Sequence, residues 1–290
     1  MPSGSRPAYF REELRSFIRH RLSSPAALWR FLQDAAALRP LKRRWLLRCR
    51  LQRRAIELDI TEECDLLCHN CDRACGVAPS QERMSPSQVE KFVDESLALP
   101  WEWTVIRVLG GEPTLHPELA AILAALDRYR RRYPSCSIEL LTNGRAASVR
   151  ARLAGLPAWV TVRDSAKTTR ANPFRRYNVA PRDLPEYRDA DYTKGCTVLE
   201  TCGLGLNRRG YYPCGAGGAV DRVFGFGAAL PSLRAALSGP LHGQLRVLCP
   251  CCGHFLRSFL SDLSTRQETS PSWAAALERY RGEPPRLKDY

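Results

Sequence analysis

Short apolar or β-branched runs alternate with helical stretches between Ala55 and about residue 165. This alternation is typical of βαβ units, in which helices connect neighbouring parallel strands of one sheet. The predicted strands are Ala55–Thr61, Thr104–Leu109, Ser137–Leu141 and Trp159–Val162. One predicted helix begins at Ser85, and two others cover Pro117–Tyr133 and Ala146–Leu156. No comparable alternation follows residue 165, so the sequence predicts an α/β fold with a partial, truncated parallel β/α barrel.

The chain divides into four predicted segments. Residues 55–165 form the partial, TIM-like barrel, residues 166–258 a small cysteine-rich domain, and residues 259–290 a helical tail. Residues 1–54 hold 14 Arg and Lys against 3 Asp and Glu, and their apolar side chains recur at helical spacing. We therefore predict a basic helical extension there, whose excess positive charge suits an acidic partner.

Composition restricts the class of protein further. Apolar residues make up 44% and charged residues 26% of the 290-residue chain, as in ordinary soluble domains. No apolar run approaches the roughly 18 residues that a transmembrane helix needs. Because Met1–Phe10 lacks the apolar core of a secretory signal, we expect a cytoplasmic protein. In a reducing compartment the 12 cysteines need a role other than disulfide formation.

A loop of three cysteines follows the first predicted strand. Its sequence places Cys64, Cys68 and Cys71 in a C-x3-C-x2-C pattern. Three thiolates held this close by a short loop can bind three irons of a cubane [4Fe-4S] cluster and leave the fourth iron open. Two alternatives remain: a zinc site, or a cluster that a fourth thiolate, Cys75, would close.

A second motif follows the second predicted strand, where the chain reads Gly110-Gly111-Glu112-Pro113. With the three-cysteine loop, it resembles the radical S-adenosylmethionine (SAM) enzymes, over about residues 55–165. The resemblance implies that the open iron binds the amino and carboxylate groups of the SAM methionine moiety. It also implies that Gly110 and Gly111 lie against that amine, with Glu112 as a nearby acceptor.

Two further strand ends carry the same resemblance. Asn143 follows the third predicted strand, and Arg163 and Ser165 follow the fourth. By resemblance they would contact the SAM ribose and carboxylate, although Asn-Gly after a strand is also a common turn. One departure concerns Asn70, which stands where the family usually has an aromatic residue near the adenine.

A second group of cysteines lies in the segment 166–258. Cys196 and Cys214 form a C-x17-C pattern around a predicted hairpin, and Cys249 and Cys252 form a C-x2-C pattern. Four thiolates suit a closed site, either an auxiliary [4Fe-4S] cluster or zinc. The layout resembles the twitch domain, a shortened relative of the SPASM domain that follows radical SAM cores. Cys202 is an alternative to Cys196, whereas Cys251 would point away from Cys252 in an extended segment.

The resemblance implies an activity. A reduced cluster would cleave SAM to methionine and a 5′-deoxyadenosyl radical, which abstracts hydrogen from a substrate C–H bond. A closed auxiliary cluster could then accept an electron, and this layout resembles the radical SAM dehydrogenases of aminocyclitol pathways (2-deoxy-scyllo-inosamine type). We predict an oxidoreductase that dehydrogenates or epimerises a polar small molecule such as a sugar or cyclitol, with a flavodoxin or ferredoxin and its reductase as electron donor. The alternatives are a maturase that crosslinks or epimerises a ribosomally made peptide, and a non-catalytic iron-sulfur scaffold.

Overall fold

The computed structural model describes residues 51–172, 174–256, 263–264 and 268–290. The basic helical extension was predicted for residues 1–54. Of these, the structure describes only residues 51–54. Eight strands and eight α-helices are described. The strands are β1 Ala55–Thr61, β2 Val105–Gly110, β3 Ser137–Thr142, β4 Val160–Asp164, β5 Phe174–Arg175, β6 Leu204–Asn207, β7 Gly210–Tyr212 and β8 Leu263–Ser264. The helices are α1 Pro86–Ala98, α2 Leu119–Arg132, α3 Ala147–Ala154, α4 Val198–Thr201, α5 Gly215–Phe224, α6 Leu233–Leu237, α7 His242–Leu248 and α8 Pro271–Gly282.

Six strands form one sheet in the order β4-β3-β2-β1-β6-β7. Neighbouring strands are parallel from β4 to β6, and β7 is antiparallel to β6. The prediction of an α/β fold with a parallel sheet is therefore confirmed, and among the described residues the sheet is not closed into a barrel. The strands β6 and β7 come from the cysteine-rich segment, so this segment extends the same sheet beyond β1.

The two faces of the sheet differ in polarity. Along β1 the buried Ile56, Leu58 and Ile60 alternate with Glu57 and Asp59. Because successive side chains of a strand point to opposite faces, one face is apolar and the other is charged. The apolar face belongs to a core that includes residues of α1 and α2, and burial of each large apolar side chain contributes about 1.5–3 kcal/mol. On the charged face, Glu57 and Asp59 are themselves buried and paired with Arg73.

The start of α1 follows its predicted signal. The Ser85 hydroxyl accepts a hydrogen bond from Gln88 N, the Gln88 side chain accepts one from Ser85 N, and Pro86 occupies the first turn. This capping box satisfies two backbone donors that a helix start otherwise leaves without partners. The Gln88 amide also donates to the carbonyl oxygens of Arg208 and Tyr290, so the cap joins α1 to the hairpin and the C-terminal residues.

A second core surrounds α5, which runs between the sheet and α8. It includes the fully buried Tyr177 and Trp273. Glycines allow α5 to approach β6 closely, because a Cβ on Gly205 would overlap the backbone at Gly215. The short helix therefore begins directly beside the sheet, which fixes Cys214 at its N-terminal end. No helix within the described ranges is both long and apolar enough to cross a membrane.

Candidate functional site

The three-cysteine loop lies directly after β1, and a second segment holds it in place. Leu67 N donates to the Arg170 carbonyl oxygen at 2.8 Å, and His69 N donates to that of Asn172 at 3.0 Å. All three thiols of the loop are half-buried. The backbone pairing with residues 170–172 therefore limits the positions that the loop can adopt.

The thiols of this loop influence each other's ionisation. Burial, together with the nearby Cys71 and Cys68, raises the pKa of the Cys64 thiol to about 12. Burial also raises the pKa of Cys68, whereas a hydrogen bond with Cys75 lowers the pKa of Cys71. Because thiolates are the metal-binding form, Cys64 and Cys68 would release protons when a metal centre binds.

A zinc ion and a [4Fe-4S] cluster need their protein ligands in different arrangements. Across the described ranges, no three His, Cys, Asp or Glu side chains converge as they would on one metal ion. A zinc ion needs its ligands at about 2.0–2.3 Å from a single point. In a [4Fe-4S] cluster each thiolate binds a different iron, so the thiols surround the cluster instead. The two centres therefore differ in where the thiols must lie, and iron and zinc analysis of the protein decides between them.

Cys75, the alternative fourth ligand, has partners inside the protein. Its buried Sγ lies 3.7 Å from Glu62 Oε2 and 3.8 Å from the Arg73 carbonyl oxygen. Its contact with Cys71 raises the pKa of the Cys75 thiol well above its usual value. These contacts are those of a neutral thiol that donates to protein acceptors.

Gly110 and Gly111 lie against the backbone that leads into the cysteine loop. Gly110 has a φ of +134°, and a Cβ there would overlap the Thr61 carbonyl oxygen. A Cβ on Gly111 would overlap the carbonyl oxygen of Glu63, the residue before Cys64. The sequence suggested that these glycines allow a ligand to approach, and the structure adds a reason within the protein: they let β2 hold the start of the loop.

The Glu112 carboxylate is fully buried and is used by the protein itself. It accepts hydrogen bonds from Thr114 N at 3.2 Å, from the Thr142 hydroxyl at 2.9 Å and from Asn143 N at 2.8 Å. The group therefore joins the end of β2 to the end of β3. These hydrogen bonds hold Asn143 N in place at the end of β3, and a contact between Glu112 and a ligand stays a prediction.

Replacing Glu112 by alanine should lower the free energy of unfolding by about 3 kcal/mol, because two buried backbone donors lose their acceptor. Chemical denaturation of the protein without metal measures this change. Glu118→Ala, at an exposed position without a side-chain cap bond, is the control and should change stability by less than about 0.5 kcal/mol. Equal stability of Glu112→Ala and wild type would contradict this structural role.

The other predicted SAM contacts divide into two places. Asn143 Nδ2 donates to Asp65 Oδ1 at 2.7 Å, and Asp65 follows Cys64, so Asn143 lies beside the cysteine loop. Ser165 donates through its hydroxyl to the Thr142 carbonyl oxygen at 2.9 Å and holds the ends of β3 and β4 together. Arg163 lies elsewhere, on the charged face.

On that face, Glu139 of β3 binds two arginines. Arg163 Nη2 donates to Glu139 Oε1 at 2.8 Å, and Arg107 Nε donates to Glu139 Oε2 at 3.3 Å. The Arg163 side chain is still 61% exposed. Glu139 and Asp65 were not among the residues predicted from the sequence. The alternation of polar and apolar residues along β3 is a signal for Glu139, and the position inside the C-x3-C motif is a signal for Asp65.

The second cysteine group surrounds one cavity. Cys196, Cys214, Cys249 and Cys252 all line it, and the space measures about 360 Å³ including its open side. The remaining lining is mainly apolar and includes Leu245 and Leu248. The structure thus brings together the four cysteines that the sequence selected for a closed site.

These four thiols also lie close enough to influence one another. Burial raises the pKa of Cys252 well above its usual value, and Cys196, Cys214 and Cys249 raise it further. The pKa of Cys214 is raised by burial and then by Cys196 in the same way. The hairpin expected between Cys196 and Cys214 is present as β6 and β7.

The two remaining cysteines of this segment lie outside the cavity lining. Cys202 contacts Glu57 on β1, and burial raises the pKa of its thiol to about 12. Cys251 is fully buried, and its carbonyl oxygen accepts a hydrogen bond from Trp273 Nε1 at 2.7 Å. The premise used to separate Cys251 from Cys252 was wrong, since Cys249–Cys251 form a 3₁₀ turn and not an extended segment.

No family model matches the chain. A probable GTP 3′,8-cyclase from Methanococcus vannielii is 33% identical over 93 residues, which are 31% of this chain and 29% of that protein. The match thus spans less than a third of the relative's length.

Solved structures give weaker likenesses. BtrN in complex with AdoMet and 2-DOIA has a TM-score of 0.41 and 14% identity, covering 77% of this chain and 98% of BtrN. SuiB from Streptococcus suis bound to S-adenosylmethionine has a TM-score of 0.29 and 20% identity, covering 53% of this chain and 35% of SuiB. The sequence similarity to the cyclase supports the relation between this chain and the radical SAM superfamily.

Proposed function

We propose that this chain is a radical SAM oxidoreductase with two iron-sulfur centres. Cys64, Cys68 and Cys71 would hold a [4Fe-4S] cluster whose open iron binds SAM. Cys196, Cys214, Cys249 and Cys252 would hold a closed auxiliary [4Fe-4S] cluster. The observation that carries the proposal is that the last four cysteines, separated by up to 56 positions in the sequence, line one cavity.

The donor sets fit these groups in number and kind. Three thiols in one loop would bind three irons of a [4Fe-4S] cluster and leave the fourth iron open to SAM. Four thiols around an apolar cavity would bind all four irons. When bound, SAM and the clusters would supply a hydrogen-abstracting radical and an electron acceptor. Around the first set, Asn143 and Asp65 form a hydrogen-bonded edge beside the loop that could orient the ligand.

The charged face of the sheet supports a polar substrate. Glu139, Arg107 and Arg163 form a cross-strand group in which Glu139 accepts from both arginines. Such a group matches hydroxyl-bearing molecules, because it presents donors and acceptors side by side. We therefore propose that the substrate is a small polar molecule such as a sugar or cyclitol, which is dehydrogenated or epimerised.

The test uses anaerobically reconstituted, reduced protein with SAM and a panel of cyclitols and sugars in deuterated water. Oxidation of an alcohol would give a carbonyl product two mass units lighter, in proportion to 5′-deoxyadenosine. Epimerisation would instead replace one carbon-bound hydrogen by a solvent deuterium and give a product one mass unit heavier. Turnover of a peptide in place of these compounds would favour the maturase, and no 5′-deoxyadenosine above the protein-free background would overturn the proposal.

A further inference from the structure

A hydrogen bond between two side chains joins the two cysteine sites. His254 lines the cavity of the second site, two positions after Cys252, and its Nε2 lies 3.3 Å from Asp72 Oδ2. Asp72 follows Cys71 directly. The contact therefore connects two turns that each carry a proposed metal ligand, although the two residues are separated by 182 positions in the sequence.

His254 is held firmly on the side of the second site. Its ring packs on Tyr177, with ring centroids 5.5 Å apart, and the Tyr177 carbonyl oxygen accepts a hydrogen bond from Gly253 N at 2.9 Å. The buried Tyr177 hydroxyl in turn donates to the Ala216 carbonyl oxygen on α5 at 2.6 Å. Since Cys214 is the N-cap residue of α5, the histidine ring is fixed relative to two of the four cysteines.

Asp72 is held on the side of the sheet. Arg73 Nη1 lies 3.3 Å from Asp72 Oδ1, and the same guanidinium binds Asp59 at 2.8 Å and Glu57 at 2.7 Å. Both carboxylates belong to β1, the strand that leads into the cysteine loop. Each end of the hydrogen bond is thus anchored to the part of the protein that carries its own cysteine site.

We propose that Asp72 and His254 form a positioning pair that couples the two cysteine sites, so that a loaded second site holds the three-cysteine loop in its metal-binding arrangement. The proposal rests on the proposed function, because it requires both centres to be loaded. The pair acts through Cys71 and Cys252 and touches no substrate. Coupling of this kind is reciprocal, so each loaded site stabilises the other.

The first experiment measures how fast a chelator removes the SAM-sensitive cluster from reconstituted protein. His254→Phe keeps a ring against Tyr177 but removes the hydrogen bond, and we expect removal about tenfold faster, the effect of one hydrogen bond to a charged group. His254→Gln, which retains a side-chain donor, and Asp72→Asn, which retains an acceptor, should restore much of the wild-type rate. His242→Phe, a half-buried histidine outside the cavity lining, is the matched control and should match wild type.

The same measurement in a Cys214→Ala/Cys252→Ala background separates coupling from a local effect. With the second site empty, His254→Phe should change the rate no further. A tenfold effect in both backgrounds would mean that His254 acts without the second centre. No effect in either background would mean that the contact with Asp72 does not influence the loop. Both results would overturn the proposal.

A second measurement uses no cysteine variants and therefore does not depend on their folding. Electron paramagnetic resonance of the doubly reduced holoenzyme reports the magnetic interaction between the two clusters. We expect His254→Phe to alter it and His242→Phe to leave it unchanged; identical spectra for all three proteins would overturn the proposal. If wild-type protein assembles no SAM-sensitive cluster, the proposed function itself fails, whereas assembly and SAM cleavage without any effect of His254→Phe refute the positioning pair alone.

Discussion

Replacing Cys64, Cys68 and Cys71 together by alanine is expected to abolish the cleavage of SAM to 5′-deoxyadenosine. The three thiols are the complete protein donor set for a cluster with one open iron, and alanine cannot bind iron. Reconstituted and reduced variant should form 5′-deoxyadenosine only at the rate measured without protein, as quantified by liquid chromatography. This is the largest change that we expect from any substitution in the chain.

The matched control is Cys75→Ser, which retains a donor toward Glu62 and the Arg73 carbonyl oxygen. We expect it to assemble the SAM-sensitive cluster and to cleave SAM at a rate near that of wild type. If Cys75→Ser instead fails to assemble this cluster, Cys75 is a fourth ligand. SAM would then have no open iron to bind, and the assignment of the loop would be wrong.

The sequence predicted the local elements of the sheet well. The bounds of β1 to β4 agree with the predicted strands to within two residues, and Ser85 caps α1 as expected. These signals are local: β-branched runs, capping residues and strand-end glycines act over a few positions. They are readable because the interactions behind them are formed by neighbours in the sequence.

The missed features depend on contacts between distant residues. A hairpin was predicted here, but the pairing of its first strand, Leu204–Asn207 (LGLN), with β1 was not. This pairing buries Leu204 and Leu206, and Gly205 lets α5 lie close to the strand. The burial of Glu112 was likewise invisible, since a sequence shows a carboxylate and not its partners. The contact between His254 and Asp72 was invisible for the same reason, because the two residues lie far apart in the sequence.

The choice of Cys252 over Cys251 agrees with the lining of the cavity, although the reason given for it was wrong. An extended segment would indeed place adjacent side chains on opposite sides, but the residues form a 3₁₀ turn. In such a turn, side chains three positions apart lie above one another, so Cys249 and Cys252 face the same cavity. The C-x2-C spacing itself therefore contains the geometric information.

Loss of Cys214 and Cys252 together is expected to uncouple the reaction without stopping it. The variant retains the three-cysteine loop, so SAM should still be cleaved, but oxidised product should fall to background because the proposed electron acceptor is absent. The measurement compares the amounts of 5′-deoxyadenosine and carbonyl product formed by the same sample. Cys251→Ala, at a buried cysteine outside the cavity lining, is the control and should preserve the wild-type ratio.

The iron content tests the second cluster independently of the product measurement. Two cubanes correspond to about 8 Fe per chain, and the Cys64, Cys68 and Cys71 triple variant should retain about 4 Fe. Because the four cysteines around the second cavity would occupy every iron of their cluster, its signal in that variant should not respond to SAM. Zinc in place of iron there, or normal product yield without Cys214 and Cys252, would remove the second centre from the chemistry. The case for dehydrogenation would then fail, while the case for SAM cleavage by the three-cysteine loop would remain.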